Sequence, residues 1–126
     1  MEKIVVFQDQ KIRRTFHKGE WWFSIIDIVE FLSKSNRPRK YWSDLKSKLK
    51  DHEDFEVSAK IRQFRLLAPD GKSRETDCAN IETLFRIIQS IPSPNANKFK
   101  LWLAKVGKER IEEIENPELA QDRVKD

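Results

Sequence analysis

Residues 21–32 constrain the fold more than any other feature of the sequence. The run opens with three aromatic residues, Trp21 to Phe23, and continues after Ser24 with apolar side chains on most faces of a helix. Adjacent aromatic residues are typical of a short strand, whereas a serine followed three residues later by an acid, here Asp27, is typical of a helix start. The run therefore predicts a strand that leads directly into a buried helix.

Four further segments have strand character. Residues 3–7 and 11–17 flank a polar turn and form, with the aromatic strand, a predicted β-meander. Residues 61–67 and 73–78 flank Ala68-Pro69-Asp70-Gly71, in which proline presets φ and glycine accepts a positive φ. This second pair predicts a β-hairpin.

Helix signals occupy most of the remaining chain. Pro38 suits the first turn of a helix that we predict to end near Asp51, and Asn80 is a predicted cap for a helix that ends near Ile91. Ser93 and Pro94 predict the start of a last helix, and the acidic residues 51–56 predict a loop. The fold class that follows is α+β: a small antiparallel β-meander plus a β-hairpin, with about four helices.

Composition excludes several classes of protein. The chain has one cysteine and no apolar run near the ~20 residues of a membrane span, so we expect no disulfide, no membrane partner and a cytoplasmic protein. It has two histidines far apart and three glycines, each in a turn or bend, so we expect no metal, no cofactor and no phosphate loop. No local motif predicts a nucleophile or a general base. We therefore expect a protein that is not an enzyme.

Charge is divided unevenly along the chain. Residues 1–108 hold 22 Lys and Arg against 14 Asp and Glu, or +8, whereas residues 109–126 hold 3 against 7, or −4. We predict a domain over 1–108 and an acidic helical extension or tail over 109–126, which leads into a further region. A basic body favours a polyanionic partner, although a charged surface that serves only solubility has the same composition.

The basic charge is densest in the helix predicted from Pro38. Residues 34–50 hold seven basic residues and one acid, Asp44, which we predict on the far side of the helix. Beside a stripe of Trp42, Leu45 and Leu49, one contiguous arc carries the candidate DNA contacts Arg39, Lys40, Ser43, Lys46, Ser47 and Lys50. Arg39 and Lys40, near the helix N-terminus, are the best placed to reach base edges. The alternative is a solvated helix face.

The hairpin is a second candidate for contact with DNA. It carries Arg62, Arg65, Lys72 and Arg74, and a basic helix beside a basic hairpin is suited to gripping a duplex. The same charges also serve to protect an edge strand from aggregation.

Three other side chains have two interpretations each. We expect Trp42 to be a core anchor rather than a stacking platform, because it shares the stripe with two leucines. Of the neighbours Trp21 and Trp22, we expect one to point inward and the other partly outward, where it could stack on single-stranded nucleic acid. Cys78 is expected to be a buried small apolar residue.

Several segments, in this order, are similar to one known family. The run Trp22 to Val29 resembles the opening motif of the N-terminal domain of BRO proteins, found in phage antirepressors and baculovirus repeated-ORF proteins. Ser35 to Lys40 resembles the loop-to-helix element of that domain, and residues 83–88 and 96–103 resemble its last two helices. The similarity covers about residues 3–106. Residues 116–123 instead resemble the DNA-damage-inducible protein D branch.

The resemblance implies a domain that binds double-stranded DNA, usually followed by a variable second domain, in an antirepressor or transcriptional regulator. It implies DNA contact at Arg37, Arg39 and Lys40 more firmly than at the hairpin. It also leaves open an interaction module that binds a repressor or other regulator protein without touching DNA. A homodimer is plausible for a protein that reads a DNA site.

Overall fold

A computed structural model describes the backbone of residues 2–7, 10–53 and 55–115, and the side chains of residues 11–51 and 56–105. Its strands are β1 (Glu2–Phe7), β2 (Gln10–His17), β3 (Glu20–Ser24), β4 (Arg62–Leu67) and β5 (Ser73–Ala79). Its α-helices are α1 (Ile25–Ser33), α2 (Pro38–Lys48), α3 (Phe55–Ala59), α4 (Ile81–Gln89) and α5 (Ala96–Glu115). A π-helical turn, Leu49–Glu53, follows α2.

All five strands belong to one antiparallel sheet in the order β1-β2-β3-β5-β4. The predicted meander and the predicted hairpin are both present, and β3 joins them by pairing with β5 at Phe23↔Ala79 and Ser24↔Cys78. The α+β fold class is therefore confirmed.

The main core lies between this sheet and the helices. Phe23 of β3, Ile28 of α1, Leu84 of α4 and Phe99 of α5 are almost completely buried there. Each such side chain contributes about 1.5–3 kcal/mol when it leaves water. The stripe Trp42, Leu45 and Leu49 is buried in the same cluster, as the helical spacing predicts. Trp42 is thus a core anchor.

A smaller apolar cluster lies outside the main core and contains Trp22, Leu66 and Cys78, with Phe64 against it. The prediction that one of the two neighbouring tryptophans points partly outward is wrong, because Trp21 and Trp22 are both only 7% exposed. Alternation along β3 directs them to opposite faces, and each face has its own apolar cover. A stacking platform for single-stranded nucleic acid at this pair is therefore excluded.

The start of α1 differs from the simple cap that we predict. Ser24 Oγ does accept from the backbone N–H of Asp27, at 3.4 Å. The Asp27 carboxylate, however, binds Arg13: Oδ2 accepts from the backbone N and from Nε, and Oδ1 accepts from Nη2, each at 2.9 Å. The side chains are only 15% and 12% exposed, so this ion pair ties β2 to α1.

The predicted acidic loop is helical at those of its residues that the structure describes. They belong to the π-helical turn and to α3, because Leu49 and Val57 are buried on either side and anchor the segment to the core. The helix predicted at Asn80 is confirmed: Asn80 Oδ1 accepts from the Thr83 backbone N–H at 2.9 Å. The last helix begins at Ala96, after Ser93 Oγ accepts from the Asn95 N–H, and it passes through Gly107 unbroken.

Candidate nucleic-acid interface

Helix α2 presents a basic face to solvent. Proline begins the helix at Pro38, and the Arg37 carbonyl accepts from the Tyr41 N–H at 3.0 Å. Because the apolar stripe faces the core, the arc beside it is left largely outside. Six residues on α2 or next to its ends are exposed there, namely Arg37, Arg39, Lys40, Ser43, Ser47 and Lys50, whereas Lys46 is half-buried.

From the sequence we predict Asp44 on the far side of the helix, and this prediction is wrong. Asp44 is exposed and its Oδ2 lies 3.2 Å from Lys40 Nζ, one turn earlier. A helical step of four residues rotates a side chain by only about 40°, so Asp44 borders the basic arc and offsets the charge of Lys40.

Asp77 of β5 joins α2 to the hairpin. One oxygen, Oδ2, accepts from Trp42 Nε1 and from Lys46 Nζ, both at 2.9 Å, and Oδ1 accepts from Gln63 Nε2 at 3.1 Å. Burial pushes the pKa of Asp77 up, but the hydrogen bonds from Lys46, Trp42 and Gln63 outweigh it and hold that pKa below its ordinary value. The carboxylate therefore stays charged and links three elements.

A cleft of about 270 Å³ lies between α2 and the hairpin. Arg39 lines it from the helix, Ala68, Pro69 and Arg74 from the hairpin, and Asp77 is part of its wall. The N-terminal turn of α2 and the tip of the hairpin consequently face the same space. Helix and hairpin form one continuous surface rather than two separate ones.

The tip of the hairpin is closely hydrogen-bonded. The Ala68 N–H donates to the Lys72 carbonyl at 2.8 Å and the Gly71 N–H donates to the Ala68 carbonyl at 2.9 Å. Asp70 accepts from the Lys72 N–H at 3.0 Å and forms an ion pair with Arg74. The Arg74 hydrogen bond and then the Lys72 N–H lower the pKa of Asp70. These contacts fix the direction in which the tip projects.

The chain is similar to one known protein family over most of its length. A family model described as the BRO family, N-terminal domain, matches residues 11–110. The chain belongs to the BRO family. This N-terminal domain occurs in phage and baculoviruses and is linked to DNA-binding regulators. No curated protein and no solved structure is similar enough to the chain to count as a match.

This BRO N-terminal domain brings most of the predicted contact residues together, but some of them are already bound in ion pairs. Arg65, Lys72 and Arg74 are exposed on the hairpin, and Arg74 lines the cleft. Lys46 and Arg74 are already paired with Asp77 and Asp70. Arg37, Arg39 and Lys50 have no carboxylate partner among the described side chains.

Arg62, which we predict as a DNA contact, lies apart from helix α2 and the cleft. It is the cross-strand partner of Cys78, and such partners share a face of the sheet. Its guanidinium lies 5.7 Å from the ring centre of Trp22 and 5.8 Å from that of Phe64. Arg62 thus covers the smaller apolar cluster, away from α2.

Asp77 is the residue of this site that sequence reasoning missed. Its only signal is alternation: Cys78 belongs to the smaller cluster, so its neighbour Asp77 must face the helices, where an isolated carboxylate needs donors. The residues that provide those donors, Trp42 and Lys46, lie in a different segment, and no local pattern connects them to β5.

Two further observations bear on other classes of function. Within the described part of the BRO domain, no three histidine, cysteine or carboxylate side chains cluster as metal ligands would. No helix among the described residues has the length and apolar character needed to cross a bilayer. Residues 116–123, which resemble the DNA-damage-inducible protein D branch, lie outside the described residues.

Proposed function

We propose that the chain binds double-stranded DNA through what we call the basic surface: the exposed face of α2 together with the tip of the β4–β5 hairpin. The observation that carries the proposal is the Asp77 junction, which holds these two basic elements side by side over one cleft. A rigid pair of basic elements contacts more phosphates of one duplex than either element alone.

Different side chains of the basic surface suit different parts of a DNA duplex. The side chains without carboxylate partners among the described residues, Arg37, Arg39 and Lys50, can bind phosphates without breaking an ion pair. Arg39 lies at the cleft near the N-terminus of α2, where a helix that enters the major groove makes its base contacts. The hydroxyls of Ser43 and Ser47, exposed on the same helix, suit phosphate oxygens.

The biological role that we propose is regulation rather than catalysis. The domain would position an antirepressor or transcriptional regulator of phage or prophage type on DNA in the cytoplasm, and a further region beyond the domain would act on the regulated partner. Family membership supports this role.

Substitution at the start of α2 tests the proposal. We expect Arg39→Ala with Lys40→Ala to weaken duplex binding about tenfold and to reduce the dependence of log affinity on log salt by roughly two contacts. The assay is fluorescence anisotropy with labelled duplex and single-stranded DNA across a salt series. The matched control removes two exposed lysines of α5, Lys98→Ala with Lys105→Ala. Equal affinity of the two double variants would contradict the proposal.

A second candidate function has one specific observation in its favour. Leu101 of α5 is 75% exposed, and an exposed apolar side chain on a long helix suits contact with a regulator protein. This function would replace DNA binding if the chain bound no DNA and retained a protein partner at high salt after nuclease treatment. Loss of that partner on Leu101→Asp would then locate the contact at α5.

A further inference from the structure

The hairpin exposes an apolar side chain beside its charges. Leu67, the last residue of β4, is 53% exposed, whereas its neighbours Leu66 and Ala68 are buried. Pro69, two residues further, is also exposed and lines the cleft with Arg39. A single exposed leucine needs no explanation by itself. The position of Leu67, however, calls for an explanation, because it lies at a hydrogen-bonded hairpin tip that carries exposed cations.

Charge complementarity indicates what could cover Leu67. Between residues 65 and 75 of the hairpin, three cations are exposed, Arg65, Lys72 and Arg74, against two exposed carboxylates, Asp70 and Glu75. This excess of positive charge favours a polyanionic partner. Proteins that bend DNA use this combination: cations hold the phosphates on both sides of a groove while a leucine or proline enters between base steps.

Hydrogen bonds hold the backbone of the hairpin tip in place. Arg13 Nη1 donates to the Leu67 carbonyl at 3.1 Å, and the Ala68 and Gly71 backbone bonds close the turn. Arg13 is itself fixed by Asp27 of α1. The backbone carbonyl of Leu67 is thus tied through two side chains to a helix of the main core, and this contact holds the backbone of the tip in place.

We propose that Leu67, with Pro69 beside it, is an apolar wedge that unstacks a base step and bends the bound duplex. This inference rests on the proposed function and adds a deformation to it. The energetic consequence is that the domain prefers sequences that kink easily, such as pyrimidine–purine steps, at positions it does not read by hydrogen bonds.

The test measures bending separately from binding. A duplex of about 25 base pairs carries a donor and an acceptor dye at its ends, and a second copy carries 2-aminopurine next to a central TA step. With the natural chain at saturation, we expect higher energy transfer and brighter 2-aminopurine. Leu67→Ala should abolish both changes and weaken binding about tenfold, with an unchanged circular dichroism spectrum because the side chain is exposed.

Leu101→Ala is the matched control, since it removes an even more exposed leucine from α5, and it should behave as the natural chain does. Tight binding without a change in energy transfer, or bending that survives Leu67→Ala, would overturn the wedge and leave the proposed function intact. Absence of duplex binding by the natural chain would overturn both.

Discussion

Replacement of Asp77 by alanine should destabilise the domain by about 2–3 kcal/mol. Most of this loss comes from Trp42, which is only 6% exposed and whose Nε1 would lose its acceptor; a buried donor left unsatisfied costs about 1–3 kcal/mol. Lys46 adds less, because its side chain is 41% exposed and solvent screens the pair to about 1 kcal/mol at most. Gln63 is exposed and adds little.

Urea unfolding followed by tryptophan fluorescence and circular dichroism measures this loss, with the free energy taken by linear extrapolation. Asp44→Ala is the matched control, since it removes a carboxylate from an ion pair whose side chains are 62% and 68% exposed, and it should change stability by less than about 0.5 kcal/mol. If both variants lost less than about 0.5 kcal/mol, Asp77 would not hold the junction, and our account of the basic surface as one unit would be wrong.

Three further predictions follow from contacts at other sites. Asp27→Asn should cost about 3–5 kcal/mol in urea unfolding, since it leaves the largely buried Arg13 guanidinium without its counter-charge; a loss below about 1 kcal/mol would contradict this. Burial raises the pKa of Cys78 to about 12, so native protein at pH 8 should react with a thiol reagent only through unfolding, and labelling as fast as in urea would refute that. Gly71 has φ +85° with open space around its missing Cβ, so Gly71→Ala should cost about 1 kcal/mol of backbone strain in the same unfolding assay, and no loss would show that the turn relaxes.

The Asp77 junction also predicts how stability depends on pH. Its pKa in the folded protein is lowered from the ordinary value, and a carboxyl in the unfolded chain titrates near pH 3.9. The stabilisation is therefore fully present above about pH 4 and lost as the pH falls through the lower folded pKa. Asp77→Asn should remove this part of the acid destabilisation, and an unchanged slope of unfolding free energy against pH between about 2 and 4 would contradict it.

The sequence predicts those features of this fold that depend on neighbours along the chain. Ser24 and Asn80 cap their helices as their side chains suggest, the Pro69–Gly71 turn forms, and the stripe that includes Trp42 is buried. In each case the physical cause lies within a few residues, so a local pattern reveals it. The α+β class follows from the same signals.

Features that depend on distant partners were missed or wrongly predicted. Asp27 of helix α1 pairs with Arg13 of strand β2, and Trp22 is covered by residues of β4 and β5, so neither contact is visible in its own segment. The acidic segment after α2 became helical because two buried anchors, Leu49 and Val57, outweighed its charge. The candidate site shows the same division: its cations were predicted, but Asp77 was not. Contact of any of them with DNA stays a prediction.

The pairing of β3 with β5 has a consequence for how the chain acquires its structure. Among the described residues, the backbone ladder between β3 and β5 has two residue pairs, Phe23↔Ala79 and Ser24↔Cys78. The chain between these strands contains α1, α2 and α3. Bringing the ends of so long a loop together costs conformational entropy. The contacts between β3 and β5 offset that cost only after the two strands have met. We therefore expect the pairing of β3 with β5 to form after the local β1–β2–β3 meander and β4–β5 hairpin. A nascent chain that has not yet emerged from the ribosome as far as Ala79 would hold an incomplete sheet, and the side chain of Phe23 would still be exposed to water.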